Sequence, residues 1–446
     1  MTSPLTGRPL TGRPLTGRPL TGRPRVLCIV THAKSARLLM RGQLAWMRAA
    51  GFEVAVAASP GPDLDAVAAR ENVETIAVPM AREIDPWADL AALRALVGVM
   101  RRWRPDVVNA GTPKAGLLGM LAARVAGVPA RIYTLRGLRL ETTRGAKRAL
   151  LTTTERLAAA AATHVVSVSQ SLGARYVALG LAPARKVVVL GQGSSNGVDA
   201  ARFAHADPAR IAALRATLGL PETDPVIGFV GRFTRDKGLE ELARAFEALA
   251  ATHPSLRLLL VGDFEDGDPL PHETRALLCT HPRIHRAGFV ADAAPYFHLM
   301  DVLAFPSYRE GFPNVVLEAA AAGLPVVGTC ATGVVDAVVD GRTGVLVPVG
   351  DADALRDALA RYLADGALRA AHGEEGKNRV RRDFQPEHVW AALAQLYRAA
   401  PGRPGSASAG LMGLPLAGRK ALARPGSGLA RSFWSRWALF RSSSAQ

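Results

Sequence analysis

The stretch YREGFPNVVLEAAAAGLPVV, Tyr308 to Val327, places two carboxylates, Glu310 and Glu318, around a Gly-Phe-Pro-Asn turn in a chain of 446 residues with a formal net charge of +17. Upstream, GRFTRDKGLEELARAF, Gly231 to Phe246, offers Arg232 and Lys237 where an apolar run gives way through glycine to a helical pattern. Two cations beside the free amides of a helix N-terminus suit a diphosphate, although an ordinary polar turn between strand and helix has the same composition. An acid near a helix start is favourable with the helix dipole by roughly 0.3–1 kcal/mol and needs no ligand to explain it. A site for phosphate alone would not want two carboxylates nearby. Sugars would, because their hydroxyl groups donate to carboxylates.

These residues need elements to hold them. RVLCIVT (25–31), FEVAVAA (52–58), VETIAVP (73–79), DVVNA (106–110), ARIYTL (130–135), HVVSVS (164–169) and KVVVL (186–190) are short β-branched runs separated by Ala-, Leu- and Arg-rich segments of helical period. After the turn-rich GQGSSNGVD, Gly191 to Asp199, the rhythm restarts with PVIGFVG (225–231), LRLLLVG (256–262), RIHRAG (283–288), DVLAFPS (301–307), PVVGT (325–329) and GVLVP (344–348). The expectation is α/β, with two doubly wound Rossmann-like domains of parallel strands facing across a cleft. Ligands of such sheets sit outside the carboxyl ends of the strands, where Arg232, Lys237 and Glu310 fall. Pro313 fits the first helical position, so Gly311 and the amides of Phe312, Asn314 and Val315 lie near a helix start with Glu318 one to two turns inside.

Charge divides the chain. Residues 26–199 carry a net +10 and residues 200–400 a net −5, while residues 1–25 and 401–446 hold twelve cations and no acid. A basic first half suits an anionic acceptor or a membrane surface. The densest basic run spans Arg131, Arg136, Arg139, Arg144, Lys147, Arg148 and Arg156 with Glu141 and Glu155 between them. It reads as a solvated helix face, an acceptor-phosphate site or a contact with the anionic cytoplasmic leaflet. Three dispersed cysteines supply neither a disulfide framework nor a metal cluster, and no apolar run of about 18 residues lacks a charge. A cytoplasmic location is expected.

LTGRP repeats four times between Leu5 and Pro24, and the C-terminal tail is rich in Gly, Pro, Ser and Arg apart from RSFWSRWALFR, Arg431 to Arg441. Both ends are expected to be disordered and basic. The aromatics of the second tail suit either a lipid interface or a merely sticky end. The expected division is therefore a tail over 1–24, a first domain over 25–196, a second over 197–385, a helix over 386–400, and a tail over 401–446. FQPEHVWAALAQLYRA gives that helix an apolar face with Val389, Trp390, Leu393, Leu396 and Tyr397.

Gly231-Arg232, Lys237-Gly238, Glu310 and Glu318 around GFPN, and the following AAAAGLPVVGT and GRTGVLVP resemble the family 4 glycosyltransferases of GT-B fold. The resemblance covers residues 25 to 400. It implies that Arg232 and Lys237 hold a donor diphosphate, Glu310 meets the transferred sugar, Glu318 takes the ribose, and the loop Gly311, Phe312, Pro313 and Asn314 faces the sugar and phosphates. It implies transfer with retention from a nucleotide-sugar, a UDP-sugar above others, to a polyprenyl-linked or polysaccharide acceptor, with no metal, no other cofactor and no nucleic acid. It also implies that the final helix crosses back to the first domain. NAGTPKAGLLGMLAARVAGVPARIYTLRGLRLET, Asn109 to Thr142, is similar to the acceptor-domain core of relatives that build capsule and O-antigen chains at the inner face of the membrane. Many of those relatives have His where this chain has Asn109 or Gly111, and a His-Gly pair in place of Arg136-Gly137. The acceptor-side candidates here are His32, Lys114, Arg136 and Glu141, and a loop histidine such as His32 also suits many surface roles.

Other functions compete. GQGSSNG approaches a dinucleotide fingerprint, yet its spacing fails by one residue and no helix opens there. It reads better as an interdomain hinge. A nucleotide-sugar epimerase of the same plan would need acid and base groups that the sequence does not reveal. A basic membrane adaptor explains the tails but leaves Glu310, Glu318, Arg232 and Lys237 as coincidence.

Overall fold

The computed structural model describes residues 23–81 and 85–399. The LTGRP repeat up to residue 22 and the chain beyond Ala399, with its RSFWSRWALFR segment, lie outside the described residues. β1 (Arg25–His32), β2 (Glu53–Ser59), β3 (Glu74–Ala77), β4 (Val107–Ala110), β5 (Ala130–Leu135), β6 (His164–Ser167) and β7 (Val187–Val189) form one sheet in the order β3-β2-β1-β4-β5-β6-β7. β8 (Val226–Val230), β9 (Arg257–Val261), β10 (Ile284–Gly288), β11 (Val302–Phe305), β12 (Val326–Thr329) and β13 (Gly344–Val347) form a second in the order β10-β9-β8-β11-β12-β13. Each strand coincides with one of the runs read from sequence. Pairing is parallel throughout, for instance Val26 with Val107 and Ile227 with Leu258.

The continuous apolar runs follow from this architecture, since helices cover both faces of each sheet and leave the central strands no solvent side. Six consecutive residues of β1 and all five of β8 are buried. The two-domain Rossmann-like architecture is thus the one that the strand rhythm implies.

The last described helix, Pro386–Ala399, packs into the core of the first sheet through Val389, Trp390, Leu393, Ala394 and Tyr397. Its polar atoms are matched there. Asn109 Nδ2 donates to Tyr397 Oη at 2.6 Å while Asn109 Oδ1 accepts from Thr134 at 2.7 Å. Trp390 Nε1 donates to Asn196 Oδ1 at 2.7 Å, and Asn196 Nδ2 donates to the Arg41 carbonyl at 2.9 Å. Leu396, expected on the same face, is only partly buried.

Candidate active site

Each sheet reverses its strand order once, at β1/β4 in the first and at β8/β11 in the second. Such reversals open a crevice at the carboxyl ends of the strands because the flanking crossovers leave on opposite faces. β8 leads into Gly231 and Arg232, then a single 3₁₀ turn, Arg235–Lys237, and the helix Leu239–Thr252. Gly238 links turn and helix at φ 72°, and a Cβ there would lie 2.1 Å from the Pro306 carbonyl. Only glycine permits both the left-handed backbone and the close approach of the loop that follows β11.

That approach joins the predicted cation to the predicted acid. Lys237 Nζ lies 2.5 Å from Glu310 Oε1, and Ser307 Oγ donates to the same oxygen at 2.9 Å. Both side chains are largely buried, 12% and 16% exposed, so the pair is screened less than a surface contact. Arg309 Nη2 pairs with Asp236 Oδ2 at 3.0 Å, and Thr234 Oγ1 donates to Asp236 Oδ1 at 2.6 Å. These partners hold the Asp236 carboxyl below its usual range although burial works the other way. Arg232 turns outward to Glu265 at 2.8 Å in an exposed pair.

The helix that carries Glu318 begins at Asn314, one residue later than expected, with Pro313 as its N-cap at φ −81°, ψ 97°. The missing N–H of Pro313 is tolerated there for the same reason as at the first helical position. Among the described residues no hydrogen bond within the chain engages the amides of Gly311, Phe312 or Asn314. Glu318 lies one turn inside, and burial pushes its carboxyl up to about 7, with Arg202 pulling it down and Asp292 pushing it further up.

The first domain closes on this loop. Gly311 packs so tightly on the Arg136 carbonyl that a Cβ would come within 2.0 Å of it. Ser169 Oγ donates to the Gly311 carbonyl at 2.7 Å, and Ser194 Oγ donates to Asn314 Oδ1 at 3.3 Å. The Glu310 amide donates to the Thr332 carbonyl at 2.9 Å, and Thr332 Oγ1 donates to Glu141 Oε1 at 3.0 Å. Glu141 is thereby brought near the loop after β11, and its Oε2 is buried without a partner.

The other acceptor-side candidates separate. Arg136 borders the loop through its backbone. Its guanidinium turns to a small, mostly apolar cavity of about 20 Å³ lined by Asn109, Thr134 and Ser195 together with Val166, Leu190 and Leu393. There Nη1 reaches the Ser195 carbonyl at 3.5 Å, Nε has no partner, and burial lowers its pKa to about 10. His32 ends β1 at the strand-order reversal, with Nε2 buried and unpartnered. Lys114 holds Asp89 at 2.7 Å, a contact between neighbouring helices of the first domain. Between the domains lies a crevice of about 850 Å³, lined by Arg139, Thr142 and Lys147 on one side and Arg232, Asp236 and Tyr308 on the other.

Comparison with known proteins agrees with this geometry. Residues 224–365 match the glycosyl transferases group 1 family and residues 37–193 a glycosyl transferase 4-like domain. The capsular polysaccharide biosynthesis glycosyltransferase CapM of Staphylococcus aureus is 35% identical over 84% of this chain and 96% of its own length. The chain belongs to the family 4 glycosyltransferases. An Escherichia coli UDP-Gal:alpha-D-GlcNAc-diphosphoundecaprenol alpha-1,3-galactosyltransferase is 27% identical over 67% of this chain and 77% of its own. HepE of Anabaena, solved in complex with UDP-glucose, superimposes with a TM-score of 0.70 at 23% identity, covering 83% of this chain and 98% of that one. That likeness shows the GT-B fold.

Sequence reasoning missed the residues that fasten the glycosyltransferase shut. Asp336 of the second domain accepts from the amides of Gln170 and Ser171 at 3.0 and 3.2 Å, and from Ser171 Oγ. Gly333 N donates to Ser171 Oγ at 2.8 Å, and Arg309 Nε donates to Thr142 Oγ1 at 2.8 Å. The available signal was the Ser-Gln-Ser run after β6, where Ser169 caps the helix Gln170–Ala178 by accepting from Leu172 N. Its partner Asp336 carried none, because nothing in the sequence relates positions 165 residues apart.

Proposed function

We propose that this glycosyltransferase moves a hexose from a UDP-sugar to a lipid-linked or polysaccharide acceptor, with retention at the anomeric carbon, in the assembly of a bacterial surface glycan. The observation that carries the reading is the buried Lys237–Glu310 pair at the second strand-order reversal, packed through Gly311 against the first domain. The relatives named for capsule assembly and for transfer from UDP-Gal to a diphosphoundecaprenol-linked sugar support the donor and acceptor classes.

In this reading Arg232 exchanges its exposed contact with Glu265 for the donor diphosphate, and Lys237 supplies the second positive charge. Glu310 accepts from a hydroxyl group of the transferred sugar, with the amides of Gly311, Phe312 and Asn314 as donors to sugar and phosphate oxygens, and Glu318 accepts from the ribose. The acceptor hydroxyl attacks the anomeric carbon on the face from which the diphosphate departs. The bond from C1 to the phosphate oxygen breaks, the bond from C1 to the acceptor oxygen forms, and the acceptor proton passes to the departing phosphate. Arg232, Lys237 and the helix amides hold the charge that develops on the diphosphate, so preorganised protein dipoles serve where another enzyme uses a cation. Residues 25–196 would bind the acceptor and 197–385 the donor, working at the cytoplasmic face of the membrane as a peripheral protein.

Donor binding and slow donor hydrolysis across UDP-, GDP- and ADP-sugars, with and without a chelator, test the reading. Wild type should bind and hydrolyse one donor class irrespective of the chelator, Glu310→Ala should hydrolyse it roughly 10²- to 10³-fold more slowly, and Arg232→Ala should bind it roughly tenfold more weakly. Binding of no nucleotide-sugar refutes it. Trapping of a glycosyl adduct on any side chain refutes the single-displacement chemistry.

A further inference from the structure

Glu141 ends a single 3₁₀ turn, Arg139–Glu141, in the segment that leaves the carboxyl end of β5. Its two oxygens have different surroundings. Oε1 accepts from Thr332 Oγ1 at 3.0 Å and from Arg175 Nε at 3.3 Å, whereas Oε2 is buried and accepts from nothing in the chain. A carboxylate oxygen withheld from water and left without a donor is destabilising, and in native proteins such a group points to a partner that arrives from outside.

The place of this oxygen says what the partner is. Arg175 belongs to the helix Gln170–Ala178 of the first domain and Thr332 to the second, so the carboxylate is set from both sides where the domains meet. The Thr332 carbonyl in turn accepts from the Glu310 amide at 2.9 Å, which leaves one residue between Glu141 and the backbone of Glu310. Glu141 also lines a cavity of about 590 Å³ with Thr142, Thr143 and Arg148. Thr142 and Thr143 continue into the 850 Å³ crevice that Arg232 borders. The unpartnered oxygen therefore stands where a first-domain cavity reaches the loop after β11.

We propose that Glu141 positions the acceptor, its Oε2 accepting a hydrogen bond from the molecule that attacks the anomeric carbon. The inference rests on the function proposed above. In front-face displacement the attacking hydroxyl gives its own proton to the departing phosphate, so Glu141 takes a different hydrogen. In a sugar acceptor that hydrogen belongs to the hydroxyl beside the attacking one. In donor hydrolysis it is the second hydrogen of water. Held through that hydrogen, the attacking oxygen faces C1 in one direction only, which is the part of catalysis that orientation supplies.

Glu141→Gln tests the assignment, because the amide keeps the size of the side chain and an oxygen for Thr332 while putting a donor in place of Oε2. Donor binding by calorimetry and hydrolysis at saturating donor are compared across UDP-, GDP- and ADP-sugars. The variant should bind the donor as wild type does and hydrolyse it roughly 10- to 100-fold more slowly, the usual effect of losing a hydrogen bond to a charged group. Thr332→Val, which removes the contact between the domains and keeps the carboxylate, should be slowed less. A purely structural role reverses that order, leaving Glu141→Gln close to wild type and Thr332→Val the slower of the two, and so overturns the proposal. Weakened donor binding in Glu141→Gln, or wild type that binds a donor without hydrolysing it, overturns it as well and leaves the proposed donor site standing. Wild type that binds no nucleotide-sugar refutes the proposed function and this assignment together.

Discussion

Lys237 and Glu310, 73 residues apart, meet in a largely buried ion pair across the strand-order reversal of the second sheet. The contact exists because the backbone at Gly238 admits the Pro306 carbonyl, which draws the loops after β8 and β11 together. Truncating one partner of such a pair leaves the other charge uncompensated. Lys237→Ala and Glu310→Ala should each lower kcat roughly 10²- to 10³-fold, the usual loss for one preorganised electrostatic group. The double variant should cost far less than the product of the two, which a double-mutant cycle on transfer rates measures. Additive losses would show that the pair does not act as a unit.

Arg232 should behave differently. Its contact with Glu265 is exposed on both sides and contributes at most about 1 kcal/mol. Arg232→Ala should leave the melting temperature almost unchanged while raising the donor KM roughly tenfold or more, about what one charge-assisted phosphate contact supplies. Glu265→Ala, which frees the guanidinium, should lower that KM. Steady-state kinetics with the donor varied decide both.

Gly311→Ala places a Cβ against the Arg136 carbonyl, so the two domains cannot close as they do here. The second domain retains its own core, and the protein should remain folded. Transfer should fall about 100-fold, because displacement of reacting groups by about 1 Å is enough for such a loss. Small-angle scattering should report a larger radius of gyration than wild type. An unchanged radius with full activity would rule out the closed arrangement as the working one.

Glu318 gives a pH dependence whose sign is fixed. Burial raises its folded pKa to about 7, above the roughly 4.3 of an unfolded glutamate. Between those values the native state binds more protons than the unfolded one, so this group's contribution to stability falls as pH rises from about 4.5 to 7. Glu318→Gln removes that dependence, and its melting temperature should gain on wild type as pH increases across the window. The charged carboxylate is the better acceptor for ribose hydroxyls. Wild-type donor KM should accordingly fall as pH rises through about 7, and the variant should show no such trend.

Trp390→Ala tests the returning helix. The indole is buried in the first domain and its Nε1 holds Asn196 in the segment between the sheets. Loss of a buried tryptophan costs about 3–5 kcal/mol. Chemical denaturation should show a loss of that size, with Asn196→Ala contributing little more in the Trp390→Ala background.

All thirteen strands are legible in the sequence, the central ones because a parallel strand buried on both faces must be a short, continuous apolar run, whereas the edge strands β3 and β10 carry no buried residue and are legible only from their place in the strand-helix rhythm. Arg232, Lys237 and Glu310 fall where the sequence places them, in the segments that follow β8 and β11 and lead into helices, and Glu318 one turn inside the second of those helices. Which of them meet is a different matter. Strand order, set by crossovers and not by local pattern, brings β8 beside β11 and so pairs Lys237 with Glu310 while leaving Arg232 facing Glu265. Tertiary packing alone turned the Arg136 guanidinium away from the loop after β11 and its carbonyl toward it, tied Lys114 to Asp89, and set Asp336 on the amides of Gln170 and Ser171. Those contacts join residues distant in sequence through backbone atoms or single side chains. Their energy depends on where two domains close on one another, and no periodicity or composition encodes that.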